Sequence, residues 1–139
     1  MTFRHTTEFV VEFGDCDPAQ IVFYPNYFRW MDSASRHFFV AAGVPSWHAL
    51  EAQTGIFGTP LVDASARFLR TATYGDHIAV ETTVAEWRTK SFVMAHVVRR
   101  GADVLVEGQE TRIFARRHPE DPKRIQAVAP PEEVKHLFD

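Results

Sequence analysis

Pro25-Asn26-Tyr27-Phe28-Arg29-Trp30-Met31-Asp32-Ser33-Ala34-Ser35-Arg36-His37-Phe38-Phe39-Val40-Ala41-Ala42-Gly43 is the stretch that decides the fold. Pro25 suits the first turn of a helix, where its missing N–H costs nothing. Tyr27, Trp30, Met31, Ala34, Phe38 and Ala41 then recur at helical spacing, and Gly43 fits the position just past a helix end. The spacing predicts a helix over Tyr27 to Ala42. Phe28, Phe39 and Val40 widen its apolar stripe, so the helix must be wrapped by other elements, not laid on a surface.

Outward from this helix the chain reads as strands. Glu8 to Phe13 is β-branched and aromatic, and predicts a short strand before it. Gly14 to Tyr24 is a loop with Pro18 fixing its middle. Beyond the helix comes a stretch punctuated by Pro and Gly, then Leu61 to Leu69, with Val62, Ala64, Ala66 and Phe68 on one face. Ile78 to Trp87 and Ser91 to Arg99 predict a hairpin turning near Arg88-Thr89-Lys90. Gly101-Ala102-Asp103 turns into Val104 to Arg116, and Arg124 to Val128 is a last short strand. Pro130-Pro131 precedes a helical tail ending near Phe138. The fold class is α+β, one helix with an antiparallel run of strands. One helix cannot cover both faces of such a sheet, which predicts an oligomer.

Bulk composition narrows the function. A chain of 139 residues is most simply one domain, long enough for a core without staples. Its net charge of -3 offers no basic excess for nucleic acid. Cys16 is the single cysteine and has no internal partner, which suits a reducing cytoplasm. No basic-then-apolar leader and no apolar run of membrane-spanning length is present. Twelve Phe predict an interior or slot filled by large side chains.

The candidate chemistry lies just ahead of the helix, in Asp15-Cys16-Asp17-Pro18-Ala19-Gln20-Ile21-Val22-Phe23-Tyr24. Pro18 holds Asp17 out of helical geometry. Asp17 is a candidate to attack an acyl carbon or to activate a water, with a turn or cap residue as the bland alternative and Asp15 as the rival acid. The unpaired N–H groups at the helix start near Tyr24 suit a developing oxyanion, although every helix has such an end. Asp32, two turns into the helix, either faces solvent or contacts a ligand donor. Arg88-Thr89-Lys90-Ser91 is a cationic turn. With Arg70, Arg99, Arg100, Arg112, Arg116 and Arg117 it reads as a phosphate grip or as charge protecting strand edges. Cys16, between two acids, is better read as a small packed side chain than as a thiolate. Seven His fall in no metal-ligand spacing, so no metal is expected. Dinucleotide, P-loop and GxSxG marks are missing.

These residues resemble a known family. Glu12-Phe13-Gly14-Asp15-Cys16-Asp17-Pro18-Ala19, then Ile21-Val22, Tyr24-Pro25-Asn26-Tyr27, Arg29-Trp30 and Asp32, look like the 4-hydroxybenzoyl-CoA thioesterase family of hotdog-fold proteins. Gly58-Thr59-Pro60 and Glu86-Trp87-Arg88-x-Lys90-Ser91-Phe92 are similar too. The resemblance spans nearly the whole chain. It implies one hotdog domain over residues 1–139: a long central helix wrapped by a curved antiparallel sheet of five to six strands. Such units pair into dimers, usually tetramers, with active sites at the dimer interface.

The resemblance further implies that Asp17 is nucleophile or general base and that the Tyr24 backbone N–H meets the thioester oxygen. Asp32 would line the acyl pocket and accept a hydrogen bond from a ring hydroxyl, with Trp47 and Thr59 as pocket walls. Arg88, Lys90 and Ser91 would meet the phosphates of coenzyme A, which is part of the substrate; no other cofactor is expected. Gln20 stands where the family has Gly, and Thr89 replaces a second basic residue. The expected activity is hydrolysis of an aromatic, 4-hydroxybenzoyl-like acyl-CoA. Alternatives are a short- or medium-chain aliphatic acyl-CoA thioesterase, a hydratase or dehydratase, for which no His–Glu motif is visible, and a non-catalytic acyl-CoA-binding hotdog protein. A cytoplasmic homo-oligomer without nucleic-acid or membrane partners completes the expectation.

Overall fold

Alternation of buried and exposed residues builds the main sheet. In the computed structural model, which describes residues 2–139, strand β4 (His77–Trp87) buries Ile78, Val80, Thr82 and Val84 on one face. It pairs on one side with β1 (His5–Val10) and on the other with β5 (Phe92–Arg100). β5 pairs with β6 (Asp103–Arg112), and β6 with β3 (Leu61–Phe68), all antiparallel, in the order β1-β4-β5-β6-β3. The β4–β5 hairpin closes through Arg88 N–H donating to the Ser91 carbonyl at 2.8 Å. Gly101, at φ +60°, makes the two-residue β5–β6 turn, where a side chain would be strained.

The predicted helix is α1 (Pro25–Ala42), with Pro25 in its first turn and Gly43 at φ +92° closing its end. Gly43 N–H reaches the Phe39 and Val40 carbonyls. The helix packs on the sheet closely enough that Met31 crosses β6 directly over Gly108. A Cβ built there would lie 2.9 Å from Met31 Cε and closer still to its sulfur.

Three boundaries differ from the sequence reading. The first strand is His5–Val10, not Glu8 to Phe13, because Phe13–Asp15 coils into a 3-10 turn held by Glu12 N–H donating to Asp15 Oδ2 at 2.8 Å. The punctuated stretch after α1 holds a second helix, α2 (Trp47–Thr54), and a short strand, β2 (Ile56–Gly58). Ser46 caps α2 by accepting the Ala49 N–H at 3.2 Å, and Gly55 ends it. The strand expected over Val104 to Arg116 breaks at Ile113, whose N–H turns to the Pro60 carbonyl at 3.3 Å. Its continuation β7 (Phe114–Arg117) joins β2 and β8 (Ile125–Val128) in a separate three-stranded sheet, so among the described residues eight strands in two sheets replace the expected five to six in one. The tail forms α3 (Glu132–Lys135) and a 3-10 turn ending at Phe138. No described helix is long and apolar enough to cross a membrane.

α1 divides the core into two apolar regions. Tyr27, Trp30, Met31 and Ala34 pack with Val80, Val98, Leu105 and Val106. One end further on, Phe38 and Phe39 pack with Phe92, Met94, Phe114 and Phe138. Phe38 and Phe138 stack with centroids 5.1 Å apart. Each fully buried ring contributes on the order of 1.5–3 kcal/mol. Between the two regions lies a polar layer of Ser35, Thr82, His96, Glu110 and Arg112, all buried.

β3 is an edge strand exposed along most of its length. A bulge between Leu61 and Asp63 breaks the alternation expected to put Val62 on one face with Ala64, Ala66 and Phe68; Ala66 packs on the core and Phe68 lies against the buried Tyr27 ring, while Leu61 and Val62 are open to solvent.

Candidate active site

The acid loop is a miniature hairpin. Cys16 and Val22 pair across it, and Asp17 N–H donates to the Ile21 carbonyl at 2.9 Å. Pro18-Ala19-Gln20 form the tip, with Gln20 N–H returning to the Asp17 carbonyl at 2.8 Å. A three-residue tip of this kind needs a left-handed residue at its end, usually Gly. Gln20 fills that position at φ +67°, and its carbonyl accepts from Thr73 Oγ1 at 2.6 Å. The loop is further tied down by Val22 N–H donating to the Ala72 carbonyl at 2.9 Å.

Geometry separates the two acids. Asp15 is committed to the 3-10 turn through Oδ2, and its carbonyl accepts from Phe23 N–H at 2.9 Å and Asn26 Nδ2 at 2.8 Å. Asp17 is half-buried; its Oδ1 accepts the Ala19 N–H at 2.8 Å, and its Oδ2 takes no hydrogen bond among the described residues. Asp17 therefore presents one oriented, unengaged oxygen. Cys16 is half-buried with its sulfur 3.8 Å from the Glu12 carbonyl.

Tyr24 immediately precedes α1, already in helical conformation. Its N–H finds no acceptor among the described residues, whereas Asn26 and Tyr27 N–H are satisfied by the Phe23 and Tyr24 carbonyls. The free donor stands at the positive end of the helix dipole. Exposed aromatics lie beside it: Phe23 and Tyr24 meet edge to face at 5.6 Å, and Tyr24 and Phe68 at 6.2 Å.

Asp32, Trp47 and Thr59 come together around a cavity of about 340 Å³, joined by Ser35, Phe39 and Arg112. Trp47, opening α2, packs edge to face on Phe39 at 5.7 Å. Asp32 stands at the rim, with Oδ1 accepting from Arg112 Nη2 at 2.7 Å. Arg112 was grouped by sequence with a phosphate grip or edge protection. It does neither, being buried and paired with Glu110 at 2.8 Å as well as with Asp32. The missed signal was the spacing: Glu110 and Arg112, two apart on one strand, must share a face, and this face is the core. Burial pushes the Glu110 carboxyl up, but the His96 hydrogen bond and charge and the Arg112 guanidinium outweigh it, bringing Glu110 to about 2. The same partners, Glu110 and Asp32, raise Arg112 against its burial.

The structure does not unite all the expected residues within one chain. The cavity at Asp32 includes neither Asp17 nor Tyr24, and Tyr24 lies eight residues before Asp32, about 12 Å along the helix axis. The Arg88-to-Ser91 turn is further away still. β4 leaves the acid-loop end at His77 and reaches Trp87 after roughly 33 Å of strand. At that turn Arg88 rests on Glu86 at 3.1 Å, an exposed pair of little worth, and Lys90 is exposed.

Comparison with known proteins places this architecture. The thioesterase-like superfamily profile matches residues 11–138. The chain is 45% identical over 132 residues to the 4-hydroxybenzoyl-CoA thioesterase of Pseudomonas sp. (strain CBS-3), covering 91% of this chain and 92% of that one. The crystal structure of a 4-hydroxybenzoyl CoA thioesterase mutant D17N, complexed with 4-hydroxybenzoyl CoA, superposes with a TM-score of 0.89 at 41% identity over 98% of this chain and 99% of that one. A gentisyl-coenzyme A thioesterase superposes with a TM-score of 0.79 at 33% identity, covering 96% and 98%. Sequence and backbone agree over nearly the whole length, and the chain belongs to the thioesterase-like superfamily.

Proposed function

We propose that this protein hydrolyses an aromatic, 4-hydroxybenzoyl-like acyl-CoA to the free acid and coenzyme A. The carrying observation is the 45% identity with a 4-hydroxybenzoyl-CoA thioesterase across 91% of the chain. Asp17 Oδ2 attacks the thioester carbonyl, the C–S bond breaks to release coenzyme A as its thiolate, and water opens the resulting mixed anhydride. In the general-base route Asp17 instead takes the proton from an attacking water. In both, charge gathers on the carbonyl oxygen, where the free Tyr24 N–H and the helix start stabilise it. Such a donor contributes roughly 3–4 kcal/mol to transition-state binding.

The separated half-sites support a dimer in which residues 1–139 form one hotdog domain, the sheet wrapping α1. The exposed β3 edge beside Phe23, Tyr24 and Phe68 is an apolar surface that a second copy would cover. A two-fold axis at that edge reverses one chain against the other. It carries the partner's phosphate turn and acyl pocket toward the acid loop, so that Asp17 and Tyr24 of one chain work with Asp32, Trp47 and Thr59 of the other. Arg88, Lys90 and Ser91 then hold the coenzyme A phosphates. Dimers pair further into tetramers, and the enzyme works in the cytoplasm without a cofactor.

Thiol release from a panel of acyl-CoA thioesters tests the activity. 4-Hydroxybenzoyl-CoA is expected to give the highest kcat/KM; higher turnover of butyryl-CoA would move the assignment to aliphatic substrates, and binding without turnover would exclude hydrolysis. Asp17→Asn should bind 4-hydroxybenzoyl-CoA but lose at least ~10²-fold in kcat.

A further inference from the structure

Arg112 ends β6 with its side chain turned inward, and nearly every donor it has is committed. Nε and one Nη2 proton go to Glu110, at 3.3 and 2.8 Å. The other Nη2 proton goes to Asp32 Oδ1 at 2.7 Å, and Nη1 donates to the Thr59 carbonyl at 2.8 Å. Glu110 cannot turn away, because its Oε1 also accepts from His96 Nε2 at 2.7 Å and from Ser35 Oγ. His96 is in turn held by Thr82 Oγ1, 2.9 Å from Nδ1.

Arg112 thus clamps opposite walls of the cavity, Asp32 on α1 and Thr59 ahead of β3. The Asp32 side chain is 70% exposed, against 7% for Arg112, so without the clamp it would sample several rotamers. With it, Oδ1 is spent and Oδ2 alone is free for a ligand. The guanidinium has no freedom to swing toward an anion, since doing so would strand Glu110 as an unpaired buried charge.

We propose that Arg112 is a positioning residue that sets acyl specificity, holding Asp32 so that the pocket reads a ring hydroxyl donor. This rests on the placement of Asp32 in the acyl pocket. A ring hydroxyl donates to Oδ2, the one Asp32 oxygen that Arg112 leaves open.

The experiment compares kcat/KM for 4-hydroxybenzoyl-CoA and benzoyl-CoA across wild type, Asp32→Asn, Arg112→Lys and the double variant Arg112→Gln/Glu110→Gln, which removes both buried charges together. Thermal melts verify folding. Wild type is expected to prefer the hydroxylated substrate. A merely structural role would lower both substrates alike. The proposal instead requires the hydroxy-to-unsubstituted ratio to fall about tenfold in Arg112→Lys, whose single ammonium cannot span both walls, and in the double variant. It requires that fall to come through KM for the hydroxylated substrate. An unchanged ratio in either folded Arg112 variant, with a reduced ratio in Asp32→Asn, overturns the positioning role alone. An unchanged ratio in Asp32→Asn overturns the pocket assignment, and the inference with it.

Discussion

His96 Nε2 donates to Glu110 Oε1 over 2.7 Å in the centre of the core, with side-chain exposures of 0% and 3%. A charged hydrogen bond so placed is strong, but its members are costly to separate. Because the folded-state Glu110 sits near 2, below its ordinary 4.5, it contributes stability that is fully present above pH 4.5. That contribution is lost as pH falls through this window toward 2. Thermal melts monitored by circular dichroism should show Tm dropping across it. Glu110→Gln should flatten that acid limb and cost about 3 kcal/mol at neutral pH, because it leaves Arg112 under-compensated.

Gly108 is required by the passage of Met31 over β6. Adding a single methyl there forces the fully buried Met31 out of its place. Gly108→Ala should destabilise by roughly 1–3 kcal/mol in urea unfolding. A neutral result would mean that α1 can lift off the sheet at no cost.

Gln20 carries backbone strain at the tip of the acid loop. A non-glycine residue in the left-handed region costs roughly 1–2 kcal/mol, and glycine's greater unfolded-state freedom returns about 0.5–1 of it. Gln20→Gly should therefore stabilise by about half a kcal/mol. Differential scanning calorimetry would resolve the rise in Tm, and a fall would show that the glutamine side chain stabilises the loop.

Lys90→Ala tests the phosphate turn. Removing one ammonium from an exposed hairpin should leave the fold intact and raise KM for acyl-CoA more than it lowers kcat. The rise should shrink as salt is added, because the lost contact is screened. An unchanged KM across salt concentrations would place the nucleotide elsewhere.

Local signals made much of this fold legible. Pro25 and Gly43 bracket α1 because one supplies a preset φ and the other a left-handed cap. The hairpins showed because alternation and turn residues act over a few positions. α2 stayed hidden because eight residues with one buried side chain, Leu50, carry little periodicity. The break at Ile113 was invisible because its cause is a carbonyl at Pro60, far along the chain. The acid loop could be singled out, yet Asp15 and Asp17 were ranked only by which carboxylate the loop's own N–H groups consume. Arg112 was misread because the hydropathy of one strand does not show that a charge has found two carboxylates.

The polar layer between the two apolar regions has a consequence for how this sequence can vary. Ser35, Thr82, His96, Glu110 and Arg112 come from α1, β4, β5 and β6, and each satisfies another. Exchanging any one alone strands a neighbour, whereas replacing several at once with matched apolar residues need not. These positions are therefore epistatically locked: a descendant lineage keeps the set together or abandons it together, and single steps between those two states pass through a valley of poor folding.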